Sequence, residues 1–108
     1  MDVGSGIGIF LYEMKKKNWI CNGLEMDERY IYFSNKYLKI KVENKKLQKL
    51  KTKKKYDLIT FNKVLEHIPN PIKILRKAKF FLKNKGKIYI EVPDERVKKL
   101  GKFRDEFC

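Results

Sequence analysis

The sequence has no apolar run near the ~18 residues that a membrane-crossing helix needs. It also lacks the basic stretch and apolar core of a secretory leader: Met1 runs directly into an acid and a glycine-rich loop, so no leader is expected. Histidine occurs once, as His67, and cysteine twice, as Cys21 and Cys108. One histidine and two distant cysteines offer no metal ligand set, so no metal site is expected. Their spacing matches no redox motif either, and both thiols are read as free in a reducing cytoplasm. Alanine occurs once, and arginine only four times against 23 lysines.

That imbalance shapes the reading of the net charge of +14. Such a charge raises the question of nucleic-acid binding. A surface built to grip phosphate favours arginine, whose planar fork suits phosphate oxygens. Here lysine dominates, asparagine and isoleucine are abundant, and the lysines are scattered along the chain. We read them as solvated surface in a compositionally biased chain. A basic nucleic-acid-binding module, or a fragment of an RNA-modifying enzyme, is the alternative.

The 108 residues allow one domain, and 43% hydrophobic content favours a folded globule over disorder. Asp2 and Val3 read as the tail of a strand, followed by the loop "GSGIG". Helical spacing then predicts a helix over 8–17, with Ile7, Phe10, Leu11 and Met14 on one side. A strand is expected over 19–25. A second helix follows, with Asp27 as N-cap and Tyr30, Phe33, Tyr37 and Leu38 as its apolar stripe. A weak strand is predicted over 39–43, then a basic surface stretch over 44–55 that is at most partly ordered. Apolar and β-branched residues predict a strand over 56–61. Pro69 and Pro71 break the segment after it and start a helix running to about 83. "NKGK" reads as a turn, and Ile88, Ile90 and Val92 alternate in a last strand ending at Pro93. The polar remainder is expected to be helical in part. Strands alternating with helices imply an α/β fold with a mostly parallel sheet and helices on both faces.

A glycine loop after the first strand of such a sheet presents backbone N–H groups to a ligand. It is not a dinucleotide loop, since the spacing from Gly4 would need glycine where Ile9 stands. Nor does it contain the Gly-Lys-Ser/Thr of a P-loop. The pattern is Asp2-x-Gly4-x-Gly6-x-Gly8.

With "GLEMD", "YDLITFNKVLEHIPNPIKIL" and "FLKNKGKIYIEVPDE" in the same order downstream, the sequence resembles the class I S-adenosylmethionine-dependent methyltransferases over roughly residues 1–95. "VLEHI" and "EVP" point to those often filed as types 11, 12 and 23. The resemblance implies a Rossmann-like fold and S-adenosyl-L-methionine as cofactor. It also implies methyl transfer to a small-molecule, lipid or sugar acceptor by a cytoplasmic enzyme. It implies cofactor-binding roles for Asp2, Gly4, Ser5, Gly6, Gly8, Glu25, Met26 and Asn62. The loop backbone would cradle the methionine end. Asp2 would steady the loop or take the cofactor's amino group. Glu25 would accept the ribose hydroxyls, Met26 would pack on adenine, and Asn62 would line the methionine half. His67 is the one candidate general base, its ordinary pKa lying near working pH, and a structural role in its loop is the alternative. Against the family pattern the chain lacks most of strand 1 and strands 6 and 7. Residues 1–108 are therefore expected to be a partial methyltransferase domain, the cofactor-binding half, truncated at both ends. Alone it should be inactive and poorly stable, with an open edge on its last strand.

Overall fold

The computed structural model describes residues 1–93 and 105–107. The chain divides into two compact units, Met1–Thr52 and Lys53–Cys108.

The first unit carries β1 (Asp2–Val3), α1 (Ile9–Lys16), β2 (Asn22–Leu24), α2 (Glu28–Phe33) and β3 (Lys41–Glu43). Its strands are all parallel: β1 pairs with β2 through Asp2↔Gly23 and Val3↔Leu24, and β2 pairs with β3. The short first strand is buried along its whole length. Leu11, Ile40 and Val42 form the buried centre, with Phe10, Cys21, Ile31 and Leu38 packed against it. Each large side chain fully buried there contributes ~1.5–3 kcal/mol.

Two sequence expectations fail in this unit. Of the predicted stripe of α2 only Leu38 reaches the core: Tyr30, Phe33 and Tyr37 are exposed. The buried residue of this segment is Ser34, at the head of a π-helical turn over Ser34–Leu38. The inward positions are Ile31, Ser34 and Leu38, spaced i, i+3 and i+7, so the helical period holds and the predicted stripe is out of phase with it. Next, Asn35 bonds both polar groups of Val42, accepting from its N–H at 2.8 Å and donating to its carbonyl at 3.3 Å. That clamp ties the turn to β3. The second failure is the strand over 19–25, which shrinks to three residues because Trp19 and Ile20 lie on the surface.

The basic stretch is better anchored than its composition predicts. A 3₁₀ turn at Leu47–Lys49 drives Leu47 to 1% exposure, and Leu50 is also buried. The intervening and flanking lysines stay outside.

The second unit carries β4 (Tyr56–Asn62), α3 (Pro71–Lys79), β5 (Leu82–Glu91) and β6 (Asp105–Phe107). Asn70 caps α3 by accepting from the Lys73 N–H, and Pro71 takes the first helical position, where a missing N–H costs nothing. α3 stops at Lys79, earlier than predicted. β5 starts at Leu82, so the "NKGK" turn is a wide bulge inside a strand: Tyr56 faces Leu82, while Leu58 already faces Lys87. β6 runs antiparallel to β5, with Ile88↔Phe107 and Ile90↔Asp105. The edge expected to stand open is thus covered over Ile88–Ile90. Three residues carry too short an alternation to signal a strand, and their pairing is set by a partner far along the chain. The rest of the predicted polar remainder, and the thiol of Cys108, lie outside the described residues. Among those residues, no helix is long and apolar enough to cross a membrane.

Candidate functional site

The loop between β1 and α1 turns on three glycines in the left-handed region, at φ 74° for Gly4, 59° for Gly6 and 89° for Gly8. Side-chain-bearing residues pay ~1–2 kcal/mol to stand there, so the alternation of glycines sets the loop's path. The Gly4 and Ser5 N–H groups both donate to the Leu24 carbonyl, at 2.8 and 3.0 Å, which staples the loop to the end of β2. At the far end, Ser34 Oγ donates to the Ile7 carbonyl at 3.2 Å.

Glu25 follows β2 and closes the loop from the other side. Its Oε1 accepts from the Gly6 N–H at 2.8 Å. Its Oε2 accepts from the N–H groups of Met26 and Asp27, at 2.9 and 2.8 Å. An ionised carboxylate has about four lone-pair sites, so three backbone donors use most of them. Sequence reasoning places Glu25 beside the loop but misses this latch. The signal available for it was the acid standing directly after the strand that neighbours a glycine loop. Asp27 then caps α2 by accepting from the Arg29 N–H at 3.0 Å, and the Arg29 guanidinium holds its carboxyl below the usual range.

Other predicted residues fall around this latch. Asp2 lies on β1 at 1% exposure. Ser5 Oγ is buried and finds no hydrogen-bond partner among the described residues. It is turned toward Gly23, where an added Cβ would lie 2.8 Å from it. Met26 is 51% exposed, outside the buried core. A Cβ added at Gly6 would meet no atom within 4 Å, so the loop faces open space there. Cys21 is a half-buried free thiol beside this core, and burial pushes its pKa up.

In the second unit, Asn62 ends β4 and is half-buried. His67 lies on the 3₁₀ turn Leu65–His67, exposed, with its Nε2 3.5 Å from Glu66. Lys63, directly after Asn62, holds φ 57°, which sequence reasoning did not anticipate for a lysine. Among the described residues, no group of three or more His, Cys, Asp or Glu is placed to hold a metal ion.

An acid-tipped strand next to a three-glycine loop, in a mostly parallel α/β framework, places the fold in the Rossmann-like class. Comparison with known proteins agrees. A family profile described as a methyltransferase domain matches residues 1–106. The chain belongs to that family. It is 24% identical over 108 residues to a ubiquinone biosynthesis O-methyltransferase of Vibrio campbellii, covering 91% of this chain and 45% of that protein. It is 32% identical over 101 residues to the protein of the same name from Glaesserella parasuis, covering 83% and 43%. The chain therefore spans under half the length of these relatives. Among solved structures, the plantazolicin methyltransferase BpumL in complex with SAH superimposes with a TM-score of 0.82 at 25% identity, covering 93% of this chain and 40% of that one. An S-adenosylmethionine-dependent methyltransferase from Clostridium acetobutylicum shares the fold at a TM-score of 0.77 and 14% identity, covering 89% and 43%.

Proposed function

We propose that residues 1–108 are the cofactor-binding part of a cytoplasmic S-adenosylmethionine-dependent methyltransferase that acts on a small-molecule acceptor. The observation that carries the reading is the latch from Glu25 to the Gly6 N–H, which fixes the three-glycine loop with open space over Gly6. The residues fit the cofactor. The space over Gly6 admits a ligand. Gly4, Gly6 and Gly8 would let its methionine end approach the backbone closely, their own N–H groups being engaged within the protein. Glu25 would take a ribose hydroxyl on its remaining lone pair while keeping the loop in place. Met26 would cover the adenine from its exposed position, and Asn62 would line the methionine half. Asp2, buried on β1, would steady the loop or take the cofactor's amino group. When bound, the cofactor supplies a methyl group already activated on a sulfonium. The protein's part is then mainly to align an acceptor with it.

Relatives named as ubiquinone biosynthesis O-methyltransferases, and a natural-product methyltransferase crystallised with SAH, support a small-molecule acceptor. Glu25→Ala should weaken SAH binding by about 1–3 kcal/mol, the loss typical of a charge-assisted contact. Equal calorimetric affinities for both proteins would remove Glu25 from the site.

The lysine excess belongs to solvated surface in this reading. The lysines around the Leu47–Lys49 turn point outward and carry no arginine among them. RNA binding should be nonspecific and fall steeply as salt rises to physiological levels. Tight binding in a filter assay at that salt, with preference for one RNA sequence or shape, would overturn this.

A further inference from the structure

In the first unit, α2 and the turn after it show their aromatic side chains to solvent: Tyr32, Phe33 and Tyr37 are all exposed. They are not scattered. The ring centroids of Phe33 and Tyr37 lie 5.4 Å apart, and Tyr32 meets Tyr37 edge-on at 6.3 Å. Single hydrophobic side chains on a surface are ordinary, whereas a contiguous exposed cluster marks an interaction site. Lys36 completes the cluster. Its Nζ lies 5.2 Å from the Tyr32 ring centre and 5.5 Å from that of Tyr37, and it donates to the Tyr32 hydroxyl at 2.7 Å. Among the described residues no carboxylate pairs with Lys36, so its charge stands unneutralised on the patch.

The charge around the rings has one sign. Residues 30–52 hold seven lysines and a single carboxylate, Glu43. Lys41 and Lys45 share that carboxylate, at 3.5 and 3.6 Å. Lys39 follows the π-helical turn and is exposed. The Asn35 clamp on Val42 holds β3, which begins at Lys41, against the segment that carries the rings.

We propose that this patch is a docking surface for an anionic phospholipid bilayer. Tyr32, Phe33 and Tyr37 enter the headgroup layer, and Lys36, Lys39 and Lys41 face the lipid charge. Tyrosine suits that layer because its ring is apolar and its hydroxyl stays wet. Binding at a bilayer surface grows with buried apolar area and with attraction to anionic lipid, and the patch supplies both. The choice of lysine is informative. A bilayer's potential is diffuse and rewards each cation for its charge, without the forked geometry that phosphate recognition draws from arginine. Residues 30–52 contain no arginine. A stacking platform for single-stranded nucleic acid needs free ring faces, and the Lys36 ammonium sits over the rings of Tyr32 and Tyr37. None of these residues belongs to the cofactor reading, so either can fail without the other.

The test is vesicle sedimentation of the full chain at physiological salt. One set of vesicles is phosphatidylcholine alone, and the other carries about 30% phosphatidylserine. The chain should bind the anionic vesicles at least about tenfold more tightly. Lys36→Gln should weaken that binding about fivefold, the worth of one cation at such a surface. The double variant Tyr32→Ser, Tyr37→Ser keeps every charge and should weaken it about tenfold. Its thermal unfolding should match the wild type, since both side chains are exposed. No preference for anionic vesicles would overturn the proposal. Equal affinity in wild type and the double variant would overturn it too, because diffuse charge alone would then be at work. Tighter binding of single-stranded RNA than of anionic vesicles, lost with the same two tyrosines, would also overturn it and make the patch a stacking platform. Should the double variant lose its fold by circular dichroism, equal affinity in wild type and Lys36→Gln overturns the proposal instead.

Discussion

Gly6→Val is expected to abolish SAH binding while leaving the chain folded. At φ 59°, Gly6 stands where a β-branched residue pays ~1–2 kcal/mol. That is a fraction of the ~5–15 kcal/mol that holds a small domain together. No protein atom lies within 4 Å of the position its Cβ would take, so packing does not oppose the change. The valine methyls enter the space that the cofactor would use, and the loop cannot retreat because Glu25 holds its N–H. The loss should be at least about 100-fold, since a filled site has no repacking route. Calorimetry reads the affinity and thermal unfolding reads the fold. Unchanged affinity in a folded variant would mean that the ligand does not cross the loop at Gly6.

Gly23→Ala should have the opposite signature, with a large loss of stability from a residue that touches no ligand. Gly23 is buried on β2 beneath the loop. An added Cβ would lie 2.8 Å from Ser5 Oγ, 2.9 Å from Ser5 Cβ and 2.9 Å from Leu11 Cδ1. Leu11 belongs to the buried centre of the unit and cannot move without opening it. Overpacking of this kind costs about 1–3 kcal/mol. For a domain of this size each kcal/mol lowers Tm by about 4–8 °C. Ser5→Gly should return part of the loss, because it removes both serine contacts and a hydroxyl that has no partner. Thermal melts of the two single variants and the double variant measure that coupling. Strict additivity would show that Ser5 is not what Gly23 makes room for.

These two glycines mark how far the sequence could be read. The loop spacing, the acid after the next strand and the alternation of strands with helices were legible, because each is written in neighbouring residues. The caps Asp27 and Asn70 follow the same local chemistry, although Asn70 hides behind the more obvious prolines. What was not legible depends on partners far along the chain. The engagement of Glu25 by Gly6 joins residues 19 apart. Tyr30, Phe33 and Tyr37 are exposed because Ser34, bonded to the distant Ile7 carbonyl, takes the buried position and sets the phase of the helix. Leu47 and Leu50 anchor a lysine-rich stretch whose composition alone suggests weak order. That Asn62 stands across from Glu91 appears only once the register of β4 and β5 is known.

The most direct test of the cofactor reading is a calorimetric titration of the wild-type chain with SAH. The geometry of the loop and its Glu25 latch predict a single site that saturates below about 1 mM, or roughly −4 kcal/mol or better. A chain that melts cooperatively yet shows no saturable SAH binding in that range would contradict it.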